Sequence, residues 1–265
     1  MRRTFPWSKR NPIAGPREAA RALAVAHGVA RERSKRDRAS VVLVGSWIRG
    51  TARRYSDIDL VVVGHGSGRV SRYRGGFFVN IKETTFAAEA REMRDPRRAG
   101  QAVPGWREAV SLMDPRGTVS RLKARAERFD WGRIGPAADR CVANEIVGWA
   151  EEAVKLTRLM ADDRRETAAV QRNLLVDAMA SAVAVRNRIF YNENELWETV
   201  GTIMGERWHR AQRASLGLDG VTFEGSCEAA LELYRLTAAA CIGTLSSAER
   251  SVVTRACRAV GHPLE

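Results

Sequence analysis

Residues 41–63 read VVLVGSWIRGTARRYSDIDLVVV, and this stretch decides the fold. Val41 to Val44 and Leu60 to Val63 are continuous apolar runs, mostly β-branched, which predict two strands of a sheet covered on both faces. Asp57 and Asp59 stand at i and i+2. Side chains alternate along a strand, so both carboxylates point to one face while Ile58 and Leu60 point into the core. Two acids on one face where a strand begins make a hard-oxygen site suited to Mg²⁺. Gly45-Ser46 closes the first strand, and Trp47 to Thr51 predicts a short helical turn whose free N–H groups can hold a phosphate. A divalent cation opposite a phosphate cradle is the arrangement that phosphoryl or nucleotidyl transfer needs.

Gly45-Ser46, ten intervening residues and then Asp57-Ile58-Asp59-Leu60 resemble the signature of the DNA-polymerase-β-type nucleotidyltransferase superfamily, in particular its small, kanamycin-nucleotidyltransferase-like members. The resemblance implies an α/β domain with the superfamily's mixed sheet, over about residues 1–135. An all-α helical bundle over about 136–265 would follow, with the site in the cleft between the two. It implies transfer of a nucleoside monophosphate from an NTP, with ATP the expected donor, to an acceptor hydroxyl. In that scheme Asp57 and Asp59 hold Mg²⁺ or Mn²⁺. Gly45 and Ser46 bind the β- and γ-phosphates, Ser56 belongs to the nucleotide-binding set, and Arg49, Arg53 or Arg54 add charge to the triphosphate.

One position departs from the superfamily's pattern. Its next strand often supplies a third carboxylate between two apolar residues, and here Val79-Asn80-Ile81 puts an amide at that place. Glu83 is the nearest alternative acid, but three residues on it faces opposite to Asn80 unless the strand has ended. Two carboxylates still hold one cation together with phosphate oxygens and water. What the substitution bears on is a second cation, or a general base that would deprotonate the attacking hydroxyl.

Composition sets the remaining bounds. The chain has 265 residues and a formal net charge of +13, of which residues 1–135 carry +16 and residues 136–265 carry −3. A positive half around the carboxylates draws in an NTP, and RNA is a further expected contact. Nothing approaches the ~18 consecutive apolar residues of a membrane span. The opening MRRTFPWSKRNPIAGP lacks an apolar signal core, so a cytoplasmic protein is expected. Cys141, Cys227, Cys241 and Cys257 are widely spaced and predict buried thiols rather than a zinc site.

Residues 1–15 predict a basic arm. Pro16 opens a helix with Ala20, Leu23, Ala24, His27 and Ala30 on one stripe, and its charged end RERSKRDR predicts a solvated terminus. GGFFVNIKETT predicts a further strand, and Thr84 or Thr85 caps the next helix; SLMDPRG resembles the short strand and turn of many small nucleotidyltransferases, which implies an edge element of the sheet, with Asp114 before Pro115 a turn former. Thr118 is expected to cap the helix that follows.

Beyond Pro136 the apolar spacing predicts helices near 137–162, 165–191, 193–214, 224–244 and 246–260. Arg186-Asn187-Arg188-Ile189-Phe190-Tyr191 resembles the Arg-Asn-x-x-x-His motif of the HEPN ribonucleases, with Tyr191 at the histidine position. A tyrosine with a pKa near ~10 is a poor general base, which favours a plain helix end capped by Asn192. Tyr191, Asn194, Glu195, Trp197, Trp208 and His209 form a candidate acceptor cluster, and Glu145, Glu151, Glu152 and Lys155 are further candidates at helical spacing. The acceptor is left open between a small molecule, RNA and protein, and a homodimer is left open as well. The alternatives to catalysis are a non-catalytic nucleotide- or RNA-binding protein and an antitoxin-like member with a degenerate third carboxylate position.

Overall fold

A computed structural model describes residues 12–192 and 195–264. The basic arm expected over residues 1–15 lies, as far as residue 11, outside the described residues, and so does Asn194 of the candidate acceptor cluster. The chain divides into two compact units, a sheet unit that runs up to Asp95 and takes in Ala102–Phe129, and a helical unit made of Pro96–Gln101 and the residues from Asp130 onward. The boundary expected at 135/136 therefore falls at Phe129/Asp130, and 96–101 count with the helices.

The sheet unit begins with α1 (Pro16–Asp37), followed by β1 (Ser40–Val44), the single turn α2 (Ser46–Arg49) and β2 (Ile58–Val63). A hairpin of β3 (Gly68–Arg74) and β4 (Phe77–Thr84) comes next, then α3 (Phe86–Glu92), α4 (Pro96–Glu108), which enters this unit at Ala102, β5 (Val110–Met113) and α5 (Thr118–Glu127). The five strands form one mixed sheet in the order β3-β4-β2-β1-β5. β1 and β2 are antiparallel, while β2 and β4 run parallel with Asp59 opposite Asn80.

Ile58, Leu60, Phe77, Val79 and Ile81 share the inner face of the sheet with Val41 and Leu43, and all are buried. Each apolar side chain taken fully out of water contributes about 1.5–3 kcal/mol. α1 covers this face through Ala22, Ala26, Val29 and Ala30. The expected stripe was different: Leu23 is exposed, as are Ala20, Ala24 and His27. An alanine-rich helix offers two stripes of equal period, and the flat one with small residues lets the helix lie close to a sheet of β-branched side chains.

Thr85 caps α3, accepting a hydrogen bond from the Ala88 N–H. Asp114, rather than Thr118, caps α5: its carboxylate accepts from the N–H groups of Val119 and Ser120 and from the hydroxyls of Ser40 and Ser120. Burial pushes its pKa up, but these donors outweigh burial and hold it below the ordinary aspartate value.

The helical unit holds α6 (Gly135–Ala161), α7 (Arg165–Arg186), α8 (Leu196–Met204), α9 (Glu206–Ser215), α10 (Phe223–Cys241) and α11 (Ser247–Ala259). Its core includes Ile146, Leu156, Leu175, Met179, Trp208, Leu233 and Tyr234, all essentially inaccessible. The single helix expected over 193–214 is broken at Gly205, whose φ of +83° only glycine adopts cheaply. α7 ends five residues short of the expected 191: Asn187, not Asn192, stands at its C-cap and donates its side-chain amide to the Val183 carbonyl. Among the described residues, no helix is long and apolar enough to cross a membrane.

Candidate active site in the sheet unit

The residues singled out in 41–63 converge on the outer face of the sheet. Asp59 lies one residue inside β2 and Asp57 just before it. Ile58 and Leu60, alternating with them, are 1% exposed in the core. Parallel pairing then sets Asn80 on β4 beside Asp59, and the Asn80 amide donates to the Asp57 carboxylate and, at 3.4 Å, to Asp59 Oδ1. The other end of that amide is also occupied, since Ser71 Oγ on β3 donates to Asn80 Oδ1 at 2.6 Å. The place where the superfamily's pattern leads one to expect a third acid is thus filled by a donor that ties the two carboxylates together.

Gly45 explains why the turn after β1 comes so close. It sits at φ +87°, and a Cβ built on it would meet Asp59 Oδ2 at 2.9 Å, so a side chain here would displace the carboxylate. α2 is fixed to the start of β2 by Trp47, whose indole N–H donates to the Asp57 carbonyl at 2.8 Å. The Ser46 hydroxyl makes no hydrogen bond among the described residues, which leaves a donor on the turn nearest the carboxylates.

The remaining predicted residues are placed unequally. Ser56 Oγ accepts from the Arg53 N–H at 2.9 Å, so its hydroxyl closes the turn before Asp57. Arg54 lies over the Tyr55 ring at 5.6 Å, and Arg49 pairs with Glu108 at 3.4 Å. Glu83 is not brought to the pair. β4 continues unbroken to Thr84, so Glu83 faces α1, where Arg33 binds it at 2.7 Å. Neither Ser71 nor the Trp47 anchor was among the residues expected from sequence, because both act through pairings that only the register reveals.

Asp57 and Asp59 offer carboxylate oxygens on one face, the donors a hard divalent cation takes, whereas Asn80 turns its N–H group toward them and its oxygen toward Ser71. Among the described residues, no group of three or more His, Cys, Asp or Glu side chains is assembled to hold a metal ion.

Residues 28–92 match the nucleotidyltransferase domain family model. The match takes in Gly45, Ser46, Asp57, Asp59 and Asn80, so the sheet face just described lies within the stretch that is similar to that family. In fold, the chain is similar to a nucleotidyltransferase-like protein from Exiguobacterium sibiricum 255-15, with a TM-score of 0.52 and 11% identity over 89% of this chain and 79% of that one. None of the curated proteins matches the chain.

The helical unit gives less support to the expected acceptor cluster. Trp208 is buried and donates to Thr237 Oγ1 at 2.9 Å, which makes it core. Glu152 pairs with Lys155 along α6. Glu145 accepts from the Trp149 indole and from Arg97, and with Tyr191 and Asp177 lines a cavity of about 220 Å³. Burial, and then the Glu145 charge, raise the pKa of Asp177.

Proposed function

We propose that the protein is a metal-dependent nucleotidyltransferase that moves a nucleoside monophosphate from an NTP, with ATP the expected donor, to an acceptor hydroxyl, releasing pyrophosphate. The observation that carries this reading is the convergence of Asp57 and Asp59 on one sheet face against Gly45, inside the matched domain.

In this reading Asp57 and Asp59 hold Mg²⁺ or Mn²⁺. When bound, such an ion neutralises phosphate oxygens and orients the phosphorus for in-line displacement. Gly45 lets the turn approach without a side chain, so that the α2 N–H groups and the Ser46 hydroxyl receive the β- and γ-phosphates. Arg53 and Arg54, on the loop that leads to Asp57, add positive charge to the entry. Asn80 carries no titratable proton, so it positions the carboxylates and does not act as base.

The test is incubation of the purified protein with Mg²⁺ and each α-labelled NTP, with cell extract as acceptor pool, beside an Asp57→Ala/Asp59→Ala variant. Label transferred only by the intact pair supports the proposal and sorts the acceptor into protein, RNA or small-molecule fractions. Turnover retained in the double variant rejects it. The second reading, a nucleotide-binding protein without transfer, is favoured by Asn80, and NTP binding without label transfer selects it.

A further inference from the structure

Beside the carboxylates, on the same sheet face, stand two large aromatic rings that pack into no core. Tyr73 of β3 and Phe78 of β4 are register partners, and they are 68% and 61% exposed. Phe78 precedes Asn80 by two residues, so the two share a face, and Phe77, Val79 and Ile81 between and beyond them are buried on the other. Single exposed apolar residues are ordinary and need no explanation. Here the rings form an ordered pair, edge to face at 5.3 Å and 77°, with the Tyr73 hydroxyl donating to the Gly76 carbonyl at 3.1 Å. The ledge is therefore held in shape before anything binds, which lowers the ordering cost of a partner.

Its place across the sheet gives it a role. The order β3-β4-β2-β1 sets the Gly45-Ser46 turn, the carboxylates, the Asn80 amide and the aromatic ledge in sequence from β1 outward. On the function proposed above, pyrophosphate leaves on the Gly45-Ser46 side. In-line attack then brings the acceptor from the opposite side, which is the ledge.

The surroundings select the acceptor's chemistry. Arg69 shares the ledge's face of β3 and is exposed, and Tyr55, in the turn that leads to Asp57, is 79% exposed with the Arg54 guanidinium over its ring. Exposed aromatic rings set among arginines, in a half-chain of net charge +16, have the composition of a single-strand nucleic-acid platform, where rings stack bases and cations meet phosphates. We infer that the Tyr73–Phe78 ledge stacks the terminal nucleobase of an acceptor, so that the acceptor is the end of a single-stranded RNA.

The experiment uses the full chain without NTP or metal. Fluorescence anisotropy measures binding of a short 5′-fluorescein-labelled oligoadenylate, and of the same strand ending in an abasic ribose. The expected result is that the base-bearing end binds roughly tenfold more tightly, that Tyr73→Ala/Phe78→Ala abolishes the difference, and that Tyr73→Trp/Phe78→Trp keeps it. Both side chains are exposed, and an unchanged melting temperature verifies that the Ala variant is folded. Equal affinity for the two ends, or a preference that survives the Ala pair, overturns the inference. So does ledge-dependent binding of a tyrosine-containing acidic peptide in place of the oligonucleotide. Because no NTP takes part, a chain that stacks the terminal base yet transfers no label fails only the function proposed above.

Discussion

The Asn80 side-chain amide donates to the Asp57 carboxylate across adjacent parallel strands, and Ser71 holds the amide from behind. A pair of like charges that would otherwise need a cation is held together by a fixed dipole. The chain's own groups thereby hold the two carboxylates in place, with an amide where a third acid would add charge and proton-accepting capacity.

Asn80→Asp tests this relationship. Replacing the donor with a third carboxylate sets like charges together and should destabilise the metal-free sheet unit by about 1–3 kcal/mol. Mg²⁺ or Mn²⁺ should restore most of that loss, because the variant gains a ligand where the natural chain has an amide. Thermal unfolding as a function of divalent concentration checks it: a variant as stable as the natural chain without metal, or indifferent to metal, contradicts the role given to Asn80.

How much of this was legible in the sequence follows from the range of the interactions. Gly45-Ser46, Asp57 and Asp59 lie within one short stretch, so strand alternation alone put the acids on one face and Ile58 in the core. The departure at Asn80 was visible too, and so was the doubt about Glu83, which follows from an odd offset along a strand. What sequence did not give was register. That Asn80 is the partner of Asp59, and that Ser71 stands behind it, depends on β4 pairing parallel to β2 and antiparallel to β3. The α1 stripe was misplaced because alanines at several phases carry little contrast. The helix over 193–214 was drawn through Gly205, since apolar spacing continues across a break that a positive φ creates.

Gly45→Ala should damage both fold and site. The positive φ and the clash with the Asp59 carboxylate together cost about 1–3 kcal/mol. The displaced acid should lose its place in the pair. The expected outcome is a melting temperature lowered by several degrees and label transfer reduced by at least the order of magnitude that ~1.4 kcal/mol of misplacement represents. Ser46→Ala, which adds no strain, should leave stability unchanged and weaken NTP binding; normal NTP affinity in that variant removes Ser46 from the phosphate site.

Asp114 gives the stability a defined acid dependence. Its folded pKa lies below the ordinary value, so the carboxylate's contribution is full above about pH 4, the unfolded aspartate range, and is lost as pH falls through the folded pKa. Asp114→Ala should therefore lower stability by about 1–2 kcal/mol near neutral pH, the size of a lost helix cap. The gap between the two chains should narrow as the pH is taken below 4. Denaturant titrations across that range read the difference directly, and a gap that widens on acidification contradicts the assigned sign.

The cysteines should report the order of opening in the helical unit. Burial raises the thiol pKa of Cys241 to about 12 and of Cys257 to about 11, and it raises that of Cys227 as well. All three side chains are inaccessible, whereas Cys141 is partly exposed beside the cavity lined by Glu145 and Asp177. The thiolate is the reacting species, so low exposure and raised pKa act in the same direction. In the folded chain at pH 8, an aromatic disulfide reagent should react with Cys141 first. The other three should follow only at the rate at which α10 and α11 open, accelerating together under denaturant. Fast stoichiometric labelling of Cys241 or Cys257 without denaturant would mean that the α10–α11 packing described above is not the ground state.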